Sequence, residues 1–129
     1  MPGRYLLDTN IVIALFNGDP AVTEQLAGVE YAAISVTVLG ELAAGALKSS
    51  RAQENLLRLD QFADAAVVLS CDRKTAMHYA QVQTALFRKG KPIPEADLWI
   101  AATAQQHGLS LVTRDRHFDN VDGLEIARW

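Results

Sequence analysis

Tyr5-Leu6-Leu7-Asp8-Thr9-Asn10-Ile11-Val12-Ile13-Ala14-Leu15-Phe16 sets a short apolar run against an acid and then returns to apolar residues at helical length. Three apolar residues are too few to choose between strand and helix, but the polar Asp-Thr-Asn cluster that follows carries helix-start chemistry. The stretch therefore reads as strand, acid, helix, with Asp8 at the carboxyl end of a buried parallel strand. In open α/β sheets that edge is where ligands bind, because loops and helix amino termini open into a crevice there. A simple helix cap explains Asp8 equally well, since Asp, Asn, Ser and Thr all serve. Three further acids bear on the choice.

Outward from this stretch the chain alternates. Asn17-Gly18-Asp19-Pro20 stops the first helix and starts a second, expected to run to about Ala27. Tyr31 to Ile34 is a second strand, and a helix through Thr37, Leu39, Glu41, Leu42 and Leu47 follows it. Val38, Leu42 and Gly45 neighbour Glu41 at helical spacing, which places this carboxylate on an inward face. Burying a carboxylate is costly without compensation, so a solvated position on the helix flank is the alternative. Lys48-Ser49-Ser50-Arg51 breaks the pattern, and an amphipathic helix resumes from Glu54 to Phe62. Ala66 to Leu69 is the third strand, and Asp72 caps a long helix running toward Arg88-Lys89-Gly90-Lys91. The cations at that helix end complement its dipole or contact a phosphate, and both readings stand.

Pro92-Ile93-Pro94-Glu95 opens a helix that ends near Gly108 and carries Asp97 in its first turn, where partial positive charge favours an anion. Glu95 is two residues away and points to a different side. Leu109 to Thr113 is the fourth strand, and Asp115 follows it as Asp8 follows the first. A turn through His117, Phe118 and Asp119 leads to a fifth strand at Leu124 to Ala127. This alternation implies a mainly parallel five-stranded sheet with helices on both faces, joined by right-handed crossovers.

Composition narrows the classes. A chain of 129 residues fits one domain, 1–129, with one sizeable core. No apolar run approaches the ~18 residues of a membrane span, and no signal-peptide pattern opens the chain, so a cytoplasmic protein is expected. The single cysteine, Cys71, has no partner for an internal disulfide and is expected to be a buried structural residue. His78 and His107 lie in polar helical stretches, and Trp99 and Trp129 read as packing residues. A formal charge of −3 argues against a broad basic nucleic-acid surface, but two bound divalent cations would bring the sum to +1 (−3 + 4).

Asp8 and Asp115 share a sheet edge, Asp97 starts a helix that enters there, and Glu41 is placed to face it. At ~4 Å and an effective dielectric of about 20, one pair of like charges repels by roughly 4 kcal/mol, so an empty cluster could not stay fully ionised. A divalent cation relieves the repulsion, and all-oxygen ligands suit Mg²⁺ or Mn²⁺ rather than Zn²⁺. Thr9, Asn10 and Thr113 offer supporting polar groups to the same shell. Arg88, Lys89, Lys91, Arg114 and Arg116 are candidate phosphate contacts around it.

Leu6-Leu7-Asp8-Thr9-Asn10, the helical Glu41, Asp97-Leu98-Trp99-Ile100-Ala101-Ala102 and Thr113-Arg114-Asp115 with His117-Phe118 together resemble the PIN domain, closely the VapC-type ribonuclease toxins. The acids follow in order at separations of 33, 56 and 18 residues (41−8, 97−41, 115−97). The resemblance implies a three-layer α/β/α sandwich and a Mg²⁺- or Mn²⁺-dependent endoribonuclease, with Asp8, Glu41, Asp97 and Asp115 as the acidic site. It also implies RNA as substrate, a homodimer, and inhibition by a small co-encoded antitoxin. Three rivals compete. A haloacid-dehalogenase-like phosphatase needs a second Asp where this chain has Asn10. A flavodoxin-like phosphoacceptor or binding module wants a lysine after the strand that here leads into Thr113-Arg114-Asp115. A PIN-like fold that only binds is the third.

Overall fold

A computed structural model describes residues 3–129, so the expectation of a domain over 1–129 lies outside the described residues at positions 1 and 2. Five strands form one sheet in the order β3-β2-β1-β4-β5, and every pairing is parallel. They are β1 (Arg4–Leu7), β2 (Tyr31–Ser35), β3 (Val67–Leu69), β4 (Ser110–Val112) and β5 (Ile126–Ala127). The helices between them are α1 (Thr9–Phe16), α2 (Pro20–Ala27), α3 (Val36–Lys48), α4 (Ala52–Ala65), α5 (Arg73–Lys89) and α6 (Glu95–His107). A 3₁₀ helix, Arg116–Asn120, joins β4 to β5. With this strand order, the right-handed crossover rule puts α1 to α4 on one face and α5 with α6 on the other, the expected three layers. This order departs from the flavodoxin-like 2-1-3-4-5, which removes that rival's fold.

Short strands suffice because the sheet is covered on both sides. Leu6, Ile34, Leu111 and Val112 are almost fully buried, and Ile11, Val12, Val38 and Ile100 meet them from the helices. Four of the six helix starts carry a side-chain cap, and α4 and α6 have none. Asp8, Asp19 and Ser35 accept backbone N–H groups at the starts of α1, α2 and α3, while Asp72 and Thr75 form a reciprocal capping box on α5. Gly108, at φ +63°, ends α6 in the left-handed conformation and turns the chain directly into β4, with Leu109 N–H donating to Ala104 O at 2.9 Å.

Two expectations are corrected. Cys71 is exposed, because it lies in the short link between β3 and α5 rather than in either element. β4 and β5 are shorter than expected, although the ladder extends past them through Leu111 N–H to Glu125 O and Thr113 N–H to Ala127 O.

Candidate active site

The strand order reverses between β1 and β4, so the residues after their carboxyl ends stand side by side at the sheet's switch point. Leu7 pairs with Val112, and Asp8 N–H extends the ladder to Val112 O at 2.9 Å. Asp8 is both cap and site residue. Its Oδ1 takes the Thr9 N–H at 2.8 Å, while its Oδ2 accepts the Thr113 hydroxyl at 2.6 Å and the Asn10 amide at 3.3 Å. Burial is the largest influence on this carboxyl and raises its pKa, against the lowering effect of the Thr113 and Thr9 hydrogen bonds.

Asp97 enters from the first turn of α6, where no side chain caps the helix. Burial first, then the charges of Asp8 and Asp115, push its pKa up to about 6 against the lowering influence of His117. His117 Nδ1 lies 3.2 Å from Asp97 Oδ2 and 3.1 Å from Asp115 Oδ1. The imidazole thus stands between two carboxylates. Ligand atoms of Asp97, Asp115 and His117 fall within 4.8 Å of one another, the one such group of three among the described residues. Asp115 is fixed at both ends, since its N–H donates to Thr113 Oγ1 at 3.0 Å and its carboxylate caps the His117 N–H at 2.9 Å.

Glu41 is exposed rather than core-facing, and Gly45 beside it is exposed too. The inward face of α3 is instead Val38, Leu42 and Ala46. Glu41 still turns toward the site, because the Thr9 hydroxyl donates to its Oε1 at 2.7 Å. Its charge is among those that raise the Asp8 pKa. Asp97, Asp115 and His117 therefore form the tight group, with Asp8 joined to Asp115 through the Thr113 hydroxyl and Glu41 joined to Thr9 at the start of α1.

The polar neighbours position acids. Thr113 is fully buried with its hydroxyl committed to Asp8 and Asp115, Thr9 is committed to Glu41, and Asn10 bridges Asp8 and the Arg114 N–H. Among the cations, Lys89 is bound to Asn120 O at 2.9 Å and Asp122 at 2.7 Å, which ties α5 to the turn before β5. Arg114 pairs with Asp19 at 2.9 Å and donates to Trp129 O at 3.1 Å, and it holds the Asp19 pKa below its usual range. Arg116 lies 3.5 Å from Asp119 and is mostly exposed, and Arg88 and Lys91 are exposed. Glu95 accepts the Tyr79 hydroxyl, and Tyr79 stacks on Trp99 at 4.2 Å, so Trp99 packs as expected. Arg128 escaped the sequence reading. It follows β5 and binds the carbonyls of Thr113 and Asp115, and the only signal was that β5 had to lie beside β4.

A divalent cation fits this donor set. The inner ligands are carboxylate oxygens plus one imidazole, and two of the acids are held in surroundings that penalise their charge, which a cation would relieve. Carboxylates gathered at the switch point of a parallel sheet define the class: an α/β domain with an acidic cluster suited to a divalent cation. The pattern of the PIN domain family matches residues 5–124. The chain belongs to the PIN domain family. It is 34% identical over 129 residues to the tRNA(fMet)-specific endonuclease VapC of Shigella flexneri, covering 98% of each. Ribonuclease VapC2 of Haemophilus influenzae is 35% identical over 131 residues, also covering 98% of each. The DNA-bound VapBC structure from Salmonella typhimurium superposes with a TM-score of 0.90 at 32% identity, over 98% of both chains.

Proposed function

We propose that this chain is a Mg²⁺- or Mn²⁺-dependent endoribonuclease that acts in the cytoplasm as the toxin of a toxin-antitoxin pair, as a homodimer. The observation that carries the reading is the close approach of Asp97, Asp115 and His117, with Asp8 linked to Asp115 through Thr113 and Glu41 linked to Thr9. Relatives named as VapC ribonucleases, at about a third identity over nearly the whole chain, support it. Bound at this site, Mg²⁺ or Mn²⁺ supplies activation of water and neutralisation of a phosphodiester transition state. Asp97, Asp115 and Asp8, with His117 beside them, would hold it, Glu41 would stand on the outer side, and Thr113 keeps Asp8 and Asp115 in register. Of the five candidate cations, Arg88 and Lys91 are exposed and Arg116 is exposed beside Asp119, while Lys89 and Arg114 are bound to Asp122 and Asp19, so Arg88, Lys91 and Arg116 are the better placed to meet RNA phosphates.

The antitoxin reading has support from the VapBC complexes among the structural relatives and from a groove in this chain. A cleft of about 320 Å³ lies between α1, α3 and α4, walled by Ile13, Phe16, Leu42 and Leu59, and Glu41 forms part of its lining. A polypeptide seated there would bury apolar side chains and reach the acids with an Arg.

The test is cleavage of RNA by the purified chain with Mg²⁺ or Mn²⁺ added and then chelated. Asp8→Asn and Asp97→Asn are expected to abolish cleavage and leave the fold intact, because the amide keeps the shape and loses the charge that holds the cation. Cleavage undiminished in excess chelator refutes the metal reading, and binding without cleavage returns the domain to a binding module.

A further inference from the structure

One guanidinium in this protein makes three contacts to the segment that carries Asp115 and His117. Arg128 stands just past β5, and its Nη1 donates to Thr113 O at 3.0 Å and to Asp115 O at 3.1 Å. Its Nη2 binds the Asp119 carboxylate, so the fork spans residues 113 to 119 from the neighbouring strand. From the other side, the Asp115 N–H is held by the Thr113 hydroxyl, the same hydroxyl that donates to Asp8. The peptide units on either side of Asp115 are thus gripped at the N–H from within and at the carbonyl from without. With both peptides fixed, the Asp115 carboxylate has few ways to leave its place beside Asp97 and His117.

We infer that Arg128 is a positioning residue that sets the Asp115 carboxylate for cation binding, an inference that rests on the metal reading of the site given above. Arg suits the task and Lys does not, because a planar fork with fixed donor directions can bridge two carbonyls and a carboxylate at once. The turn has a second anchor in Phe118, which is fully buried. Two physical effects of removing Arg128 oppose each other. Loss of a positive charge near an acidic cluster, acting alone, tightens divalent cation binding. Loss of the clamp loosens it, as removal of groups that orient metal ligands typically costs about 10- to 100-fold in affinity.

The sign of the change therefore separates the roles. Mn²⁺ binding to the full chain is measured directly, by calorimetry or by the electron paramagnetic signal of free Mn²⁺, for wild type, Arg128→Met and Arg128→Lys, with a melting curve for each. The expected result is binding weakened about 10-fold or more in a folded Arg128→Met chain. Binding as tight as wild type, or tighter, overturns the inference. Should Arg128→Met fail to melt cooperatively, Arg128→Lys decides: it keeps the charge without the fork, so weaker binding supports positioning and unchanged binding overturns it. A wild type that binds no Mn²⁺ brings down the metal reading and this inference together, whereas equal binding by wild type and Arg128→Met brings down this inference alone.

Discussion

Thr113 spends its one hydroxyl on two acids, donating to Asp8 and accepting from the Asp115 N–H in a position with no solvent exposure. Thr113→Val keeps the shape and leaves the part-buried Asp115 N–H without its partner and Asp8 short of a donor. A cost of about 1–3 kcal/mol in unfolding free energy is expected, with Thr113→Ser close to wild type. Equal stability of the Val and Ser variants would show that water takes over the contacts. Asp97 gives a prediction of opposite character. Its folded pKa of about 6 stands above the ordinary value of 3.8, so the folded chain binds this proton more tightly than the unfolded one. The stabilisation is complete below pH 3.8 and is lost as pH rises through about 6, and the raised Asp8 pKa acts in the same direction. Metal-free Asp97→Asn is therefore expected to gain melting temperature relative to wild type between pH 4 and pH 7, and Mn²⁺ to close the gap for wild type alone. A difference that stays flat with pH would mean that Asp97 is not penalised by its surroundings.

The helices show which parts of such a site a sequence can reveal. Asp8, Asp72 and Asp97 were legible because caps and first turns have local chemistry, and the acids after β1 and β4 were legible because strand ends in a parallel sheet share an edge. Glu41 was misplaced because its helical neighbours are mixed: Leu42 is buried while Gly45 is exposed, and one turn of α3 spans both environments. The bond from Thr9 that turns it toward the site is made across 32 residues, which no periodicity carries. The partners of Lys89, Arg114 and Arg128 were hidden for the same reason, since pairing of exposed charges depends on tertiary approach. α5 offers a test of local chemistry acting at a distance. Asp72 caps α5 through the Thr75 N–H at 3.1 Å and also accepts the Gln106 amide of α6 at 2.9 Å. Asp72→Ala is expected to lower the unfolding free energy by about 1 kcal/mol or more, seen as an earlier denaturant midpoint with an unchanged slope. A loss no larger than a few tenths would mean that Thr75 and Gln106 satisfy one another.

At the scale of the whole molecule, the acidic crevice and the apolar groove share one residue. Glu41 accepts from Thr9 on the side of Asp8 and lines the cleft that Ile13, Phe16, Leu42 and Leu59 wall. Ile13 is about half exposed, at 47%, and so is apolar surface that the fold of this chain leaves uncovered. An antitoxin that fills the groove and reaches the carboxylates would block the site without altering Asp97, Asp115 or His117. Ile13→Glu places a charge where the partner's apolar side chains would be buried, and burying an unpaired carboxylate costs several kcal/mol. At 1.4 kcal/mol per tenfold, antitoxin binding is expected to weaken by at least about tenfold. Cleavage by the free chain should persist, because Ile13 is not among the acids or their hydrogen-bond partners. The measurement is RNA cleavage against a titration of the co-encoded partner for wild type and Ile13→Glu. Rightward displacement of the inhibition curve, with the uninhibited rate unchanged, is the expected outcome. Superimposed curves would move the partner's contact away from this groove, and a loss of uninhibited rate would show that α1 shapes the catalytic crevice as well as the groove wall.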